Sequence, residues 1–189
     1  MRLLILTLLT VCATAFAGEM FSITKGSSSN HISFTSDAPL EEVVGKTNDA
    51  AGFIMLPDDT SPGSAEVHVE LATLSTGLSL RDKHMRENHL ETDKYPQAVF
   101  KMTALEIPGG KLTDGQKTPV TVKGTLTLHG VEKEITPMSW LTLNGDQLSI
   151  ESKFSVGLKD YNIERPEFLV MKLADEQRVE VKLVAERSQ

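Results

Sequence analysis

Ten charged or imidazole side chains crowd between Arg81 and Lys94: Arg81, Asp82, Lys83, His84, Arg86, Glu87, His89, Glu91, Asp93 and Lys94. With His129, the stretch accounts for three of the five histidines in the chain. Such residues can hold a metal, move a proton or anchor backbone. For a metal, His84 and His89 are five positions apart. On a helix that sets them about 140° apart, not on the single face an i, i+4 pair shares. For acid–base work, Asp82 stands beside Arg81 and two residues before His84, but triads are assembled in space and adjacency does not make one. There is no G-x-S-x-G elbow, and no activated nucleophile can be named. As an anchor, the planar, multi-donor guanidinium of Arg81 suits bonds to Asp82 and to nearby backbone. The residue types therefore favour an anchor over a catalyst.

The elements around this stretch must position it. Ser79, followed three residues later by Asp82, has the pattern of a helix N-cap, and a short helix from about Leu80 to Leu90 follows. Thr76-Gly77 turns the chain into it, and Tyr95-Pro96 returns it to extended backbone. On either side, apolar and polar residues alternate. Ala65, Val67, Val69 and Leu71 share one face of a strand, as do Ala98, Phe100, Met102 and Ala104. Val120, Val122, Leu126 and Leu128 do the same, then Ile135, Leu141 and Leu143, then Leu148, Ile150, Phe154 and Val156, and finally Val179, Val181, Leu183 and Ala185. His129-Gly130 and Asn144-Gly145 read as tight hairpins. Pro137 implies a bulge or break in its strand, and Pro166 opens a helical turn through Met171. Eight to nine strands without a long amphipathic helix make an all-β domain, either a sandwich or a closed barrel. Its interior is either open or filled by its own side chains.

The 189 residues fit one domain, and a formal net charge of −7 argues against a nucleic-acid surface. Arg2, the apolar run Leu3–Val11 and Ala15-Phe16-Ala17 read as a signal peptide over residues 1–17, with the mature domain over 18–189. The apolar run is too short to span a bilayer. Cys12 lies within this leader behind Val11, not behind a small residue, so lipidation is not expected. Without it the mature chain has no cysteine, hence no disulfide and no thiolate nucleophile.

The stretch LSTGLSLRDKHMRENHLETDKYPQAVFK resembles the central signature of the YceI-like polyisoprenoid-binding proteins: Thr-Gly, Arg-Asp, a short helix, then Tyr-Pro before a strand. VKGTLTLHGVEKEIT is similar to a second signature, carried here by Gly124, Leu126, Thr127, Gly130 and Lys133. GLKDYNI, around Asp160 and Ile163, is similar to a third. Glu132 stands where a Thr is usual, and Tyr161-Asn162 where the family has an aromatic-Gly pair. The resemblance runs from about Phe21 to Glu186. It implies an extended, eight-stranded, antiparallel, lipocalin-like barrel with a short helix after the Thr-Gly/Arg-Asp motif, exported to the periplasm or secreted. It also implies an isoprenoid-type lipid, a quinone or polyprenyl chain, held in the apolar interior for carriage, storage or stress protection.

No catalytic residue or metal ligand carries over, so neither an enzyme nor a cofactor other than the bound lipid is expected. The inward sets supply candidate wall residues: Val67, Val69, Leu71, Phe100, Met102, Val122, Leu126, Leu128, Leu141, Leu143, Ile150 and Phe154. Arg81, Asp82 and His84 are expected near one end, ordering a lid or meeting a head group. Transient membrane contact and a monomer or homodimer fit this reading. Its rivals are an exported enzyme or metal-dependent protein using His84, His89 or His129 in the same cavity, and an interaction protein whose barrel is packed solid.

Overall fold

Strands of period two, each apolar on one side, must bury that side, and neighbours joined by two-residue turns pair antiparallel. The computed structural model describes residues 18–38, 42–59, 61–168 and 171–188. The leader expected over residues 1–17, with Cys12, lies outside the described residues. The chain forms β1 (Met20–Ile23), β2 (His31–Asp37), β3 (Glu42–Thr47), β4 (Ala50–Met55) and β5 (Ser64–Glu70). The polar insert carries α1 (Ser79–His84). Then come β6 (Gln97–Glu106), β7 (Lys117–Leu128), β8 (Val131–Ile135), β9 (Met138–Asn144) and β10 (Gln147–Gly157). The chain ends with β11 (Glu167–Phe168), β12 (Met171–Lys172) and β13 (Glu176–Arg187).

All pairings are antiparallel, and the path β1-β4-β5-β6-β7-β9-β10-β13 returns to β1. This is a closed eight-stranded barrel. β11 and β12 form a separate two-stranded sheet, and other strands continue broken ones. β1 and β2 lie end to end along β13, and β8 and β9 lie end to end along β7. The break between β8 and β9 holds Pro137, as its missing N–H requires. Closure satisfies the strand edges that Val/Thr-rich sequence would otherwise expose.

His129-Gly130 is a tight hairpin with both residues at positive φ, 51° and 74°. At the next hairpin Asn144 still pairs with Gln147, and Gly145-Asp146 makes the turn. Asn162 takes the left-handed position (φ 56°), as Asn tolerates best after Gly.

Three expectations are corrected. Thr103 is skipped in the β6–β7 register, so Leu105, not Ala104, faces inward beyond it; one extra residue reverses every later side chain. The turn expected after Pro166 is instead the β11–β12 pair. Ser79 is not the helix cap: Leu78 holds that position without a side-chain bond.

The core falls into two clusters. One end is closed by Phe21, Leu148 and Ala185, all fully buried, with Ile23, Ile54 and Leu141 around them. Towards the other end, Leu126, Val156, Leu158, Tyr161 and Ile163 pack with Leu90 of the insert.

Candidate functional site

Members of both clusters line a cavity of about 1040 Å³ inside the barrel, at the upper end of the roughly 300–1,000 Å³ range of small-molecule pockets. Its wall is the inward face of the strands. Of the candidate wall residues, Val67, Val69, Leu71, Phe100, Met102, Val122, Leu126, Leu128, Leu141, Ile150 and Phe154 border it. Leu143 does not; it packs against the closed end. The pattern shared by these strands also puts Phe34, Val43, Ile54, Val179, Val181 and Leu183 on the wall. All but Val43 stand on apolar or alternating runs, so the strand pattern marked them; Val43 lies in an acidic-to-polar segment that carries no such mark.

Two aromatic rings lie against the wall instead of across the lumen. Phe34 is the cross-strand partner of Gly45, and Phe100 reaches Gly124 diagonally across β6 and β7. A Cβ at either glycine would collide with the ring. Glycine on a strand here marks a close approach, and it keeps the bulky rings out of the central space. Two of the wall's polar side chains are bonded within the protein itself. Ser152 hydrogen-bonds Ser139 at 2.8 Å, and Gln177 donates to the Ala174 carbonyl at 2.7 Å.

The insert forms one end of this lumen. α1 runs on into a wider helical turn, Met85–His89, in which the Leu90 amide donates to the Met85 carbonyl at 2.8 Å. The span matches the expected helix, but its second half is a π-turn, a form that recurs at functional sites. Arg81, His84, Met85, His89 and Leu90 border the cavity.

Asp82 turns away from the lumen and is buried. It accepts bonds from Ser75 Oγ at 2.7 Å, Thr76 N at 2.7 Å and Thr76 Oγ1 at 2.5 Å. Arg81 Nε donates to the same Thr76 hydroxyl at 2.8 Å, and Nη2 to the Thr76 carbonyl at 3.1 Å. Arg81 and Asp82 thus meet at Thr76, where Gly77 at φ 82° reverses the chain. Burial pushes the Asp82 carboxyl up, but the hydrogen bonds from Thr76 and Ser75 and the charge of Arg86 outweigh it and hold it below the ordinary carboxylate value.

The histidines scatter. His84 is exposed at the lumen's edge. His89 Nδ1 lies 3.0 Å from the Glu164 carbonyl. His129 is buried, with Nδ1 3.1 Å from the Tyr161 carbonyl and Nε2 2.7 Å from Glu91. Tyr95 packs on its ring at 4.4 Å between centroids. Among the described residues, no three His, Cys, Asp or Glu side chains converge as metal ligands. His89 and His129 tie the insert to the 161–164 segment. Nearby, burial and then Asp160 push the Tyr161 phenol up.

The model of the YceI-like domain matches residues 22–185. The chain belongs to the YceI-like family. It is 36% identical over 115 residues to Protein YceI of Shigella flexneri, and equally so to Protein YceI of Escherichia coli O157:H7. Each alignment covers 56% of either chain, so the matched part spans little more than half the length of these relatives. Among solved structures, the YceI-like fold is shared with a polyisoprenoid binding domain from Saccharophagus degradans, implicated in plant cell wall breakdown. That match has a TM-score of 0.75 and 20% identity, covering 89% of this chain and 98% of that one. BcnA of Burkholderia cenocepacia matches with a TM-score of 0.69 and 20% identity, over 82% and 96% of the two chains.

Proposed function

We propose that this protein is an exported, periplasmic or secreted binding protein that holds an isoprenoid-type lipid, a quinone or polyprenyl chain, in its barrel. Residues 1–17 serve as its signal peptide and 18–189 as its binding domain. The observation that carries the reading is the apolar lumen of about 1040 Å³, kept open where the Phe34 and Phe100 rings lie against glycines. An isoprenoid tail offers almost nothing to hydrogen-bond, so its affinity must come from buried apolar area, about 25 cal/mol per Å² before ordering costs. A wall that is mainly apolar, with Ser152 and Gln177 bonded inside the protein, suits that guest. The name of the Saccharophagus degradans neighbour, a polyisoprenoid binding domain, points the same way.

The reading is one of binding, not catalysis. Asp82 spends its carboxylate on the Ser75–Thr76 turn, and His129 is engaged at both ring nitrogens. The deciding experiment is native mass spectrometry of the purified protein, with organic extraction. A co-purifying isoprenoid, or one-to-one uptake of added ubiquinone or polyprenol, is expected. A protein that carries none and refuses both overturns the proposal.

A further inference from the structure

Two leucines at the rim of the lumen face solvent. Leu78 is 58% and Leu80 66% exposed, and both also border the cavity. Large apolar side chains in that position are not held there loosely. Leu78 is the cap residue of α1 and Leu80 its second residue. The turn before them is fixed by the buried Asp82, which takes three hydrogen bonds from Ser75 and Thr76. Arg81 adds two more to Thr76. The anchor that resembled an active site therefore presents two leucines outward at the mouth.

The charge beside them leans to cations, three against two carboxylates, with Lys83 close to Glu87 and Arg86 acting on Asp82. Arg81, Lys83 and Arg86 follow within two helical turns. Asp82, the nearest carboxylate in sequence, is buried and bonded inward, and Glu87 lies 4.0 Å from Lys83. Exposed leucines next to cations are the pattern of a segment that seats in the headgroup–acyl boundary of an anionic bilayer. Among the described residues no helix is long and apolar enough to cross a membrane.

We infer that the Leu78–Arg86 rim docks the barrel on an anionic lipid bilayer, making the lumen wall continuous with the acyl region. The inference rests on the lipid-binding reading above, because an isoprenoid passing between membrane and lumen must otherwise cross water with its whole tail exposed. Docking at the rim removes that step.

The test is co-sedimentation with vesicles of phosphatidylethanolamine and phosphatidylglycerol that contain no isoprenoid. The full chain should bind, and Leu78→Ser/Leu80→Ser should bind about tenfold more weakly, as expected for withdrawing two partly buried leucines. Serine at position 78 is a favourable helix cap, so the variant keeps its fold; an unchanged melting temperature checks this. Lys83→Glu should weaken binding to these vesicles and leave binding to pure phosphatidylcholine unaltered. Met20→Ser, which removes an exposed methionine from the closed end, should have no effect. Absent vesicle binding by the full chain, equal binding by the double-leucine variant, or an equal loss with Met20→Ser overturns the inference. Isoprenoid uptake in vesicle-free buffer is measured separately. A chain that docks through the leucines but takes up no isoprenoid retains the surface and loses the cargo.

Discussion

The two ends of the barrel use the same alternating strands to opposite ends. At the closed end, Phe21, Leu148 and Ala185 are fully buried and fill the space between the strands. Along the lumen the wall residues are similar in kind, yet about 1040 Å³ stays open. The difference lies in small details. The closed end points a phenyl ring inward, and the lumen lays two of its rings, Phe34 and Phe100, over Gly45 and Gly124. Beyond the lumen, the strands give way to a polar insert fixed by Asp82 and His129. Apolar alternation therefore specifies a barrel, and the positions of a few glycines and aromatics specify how much of it is filled.

This contrast can be broken by mutation. The largest effect is expected from Phe21→Ala, a cavity in a packed region costing about 3–5 kcal/mol, read by denaturant unfolding. Val67→Trp should behave oppositely. It adds volume where the structure has room, so the stability loss stays below that of Phe21→Ala, and isoprenoid uptake by native mass spectrometry falls at least tenfold. Equal stability losses at Phe21 and Val67 would show the lumen to be packed like the closed end.

The anchor gives the next effect. Asp82→Asn should cost about 1–2 kcal/mol at neutral pH, through weaker hydrogen bonds at a charged acceptor. The Asp82 carboxyl sits below its ordinary value. Its contribution is therefore complete above the unfolded-state pKa of about 4 and is lost as pH falls through the folded value. Melting curves of the two proteins should converge in acid. The smallest effect is expected from His129→Asn, which tolerates the left-handed backbone and removes the bond to Glu91. A loss of about 1 kcal/mol, with faster hydrogen exchange over residues 89–95 and unchanged protection at Leu148, would confine its role to the insert.

Much of this was legible beforehand, because period-two alternation depends only on which residues sit two apart. The strands around Val67, Phe100, Leu126 and Phe154, the hairpin at His129-Gly130 and the break at Pro137 are local in origin. What failed was also local, but depended on register. Nothing in the run from Ala98 to Ala104 announces that Thr103 is an extra residue, because a bulge is fixed by the partner strand. Leu143 alternates in step with Leu141, yet lies beyond the lumen, because how far the cavity extends is a property of all eight strands. Ser79 looked like a cap because its spacing to Asp82 fits a capping box; in the fold Asp82 reaches back to Ser75 and Thr76.

The charged stretch from Arg81 to Lys94 shows where sequence stops. By itself it determined a short helix, an anchor built on Arg81 and Asp82, and poor spacing for a metal. It also carried, with VKGTLTLHGVEKEIT, the resemblance to the family that the match over residues 22–185 establishes. Only the tertiary structure decided that Asp82 points away from the lumen, that His89 and His129 tie the insert to residues 161–164, and that Leu78 and Leu80 face solvent at the rim. The histidine contacts depend on partners 32 to 75 residues distant along the chain, the leucines on the shape of the closed barrel, and Asp82 on how the turn at Ser75 and Thr76 is packed. Side-chain spacing sets which face a residue takes, but burial and hydrogen bonding are settled by what that face meets.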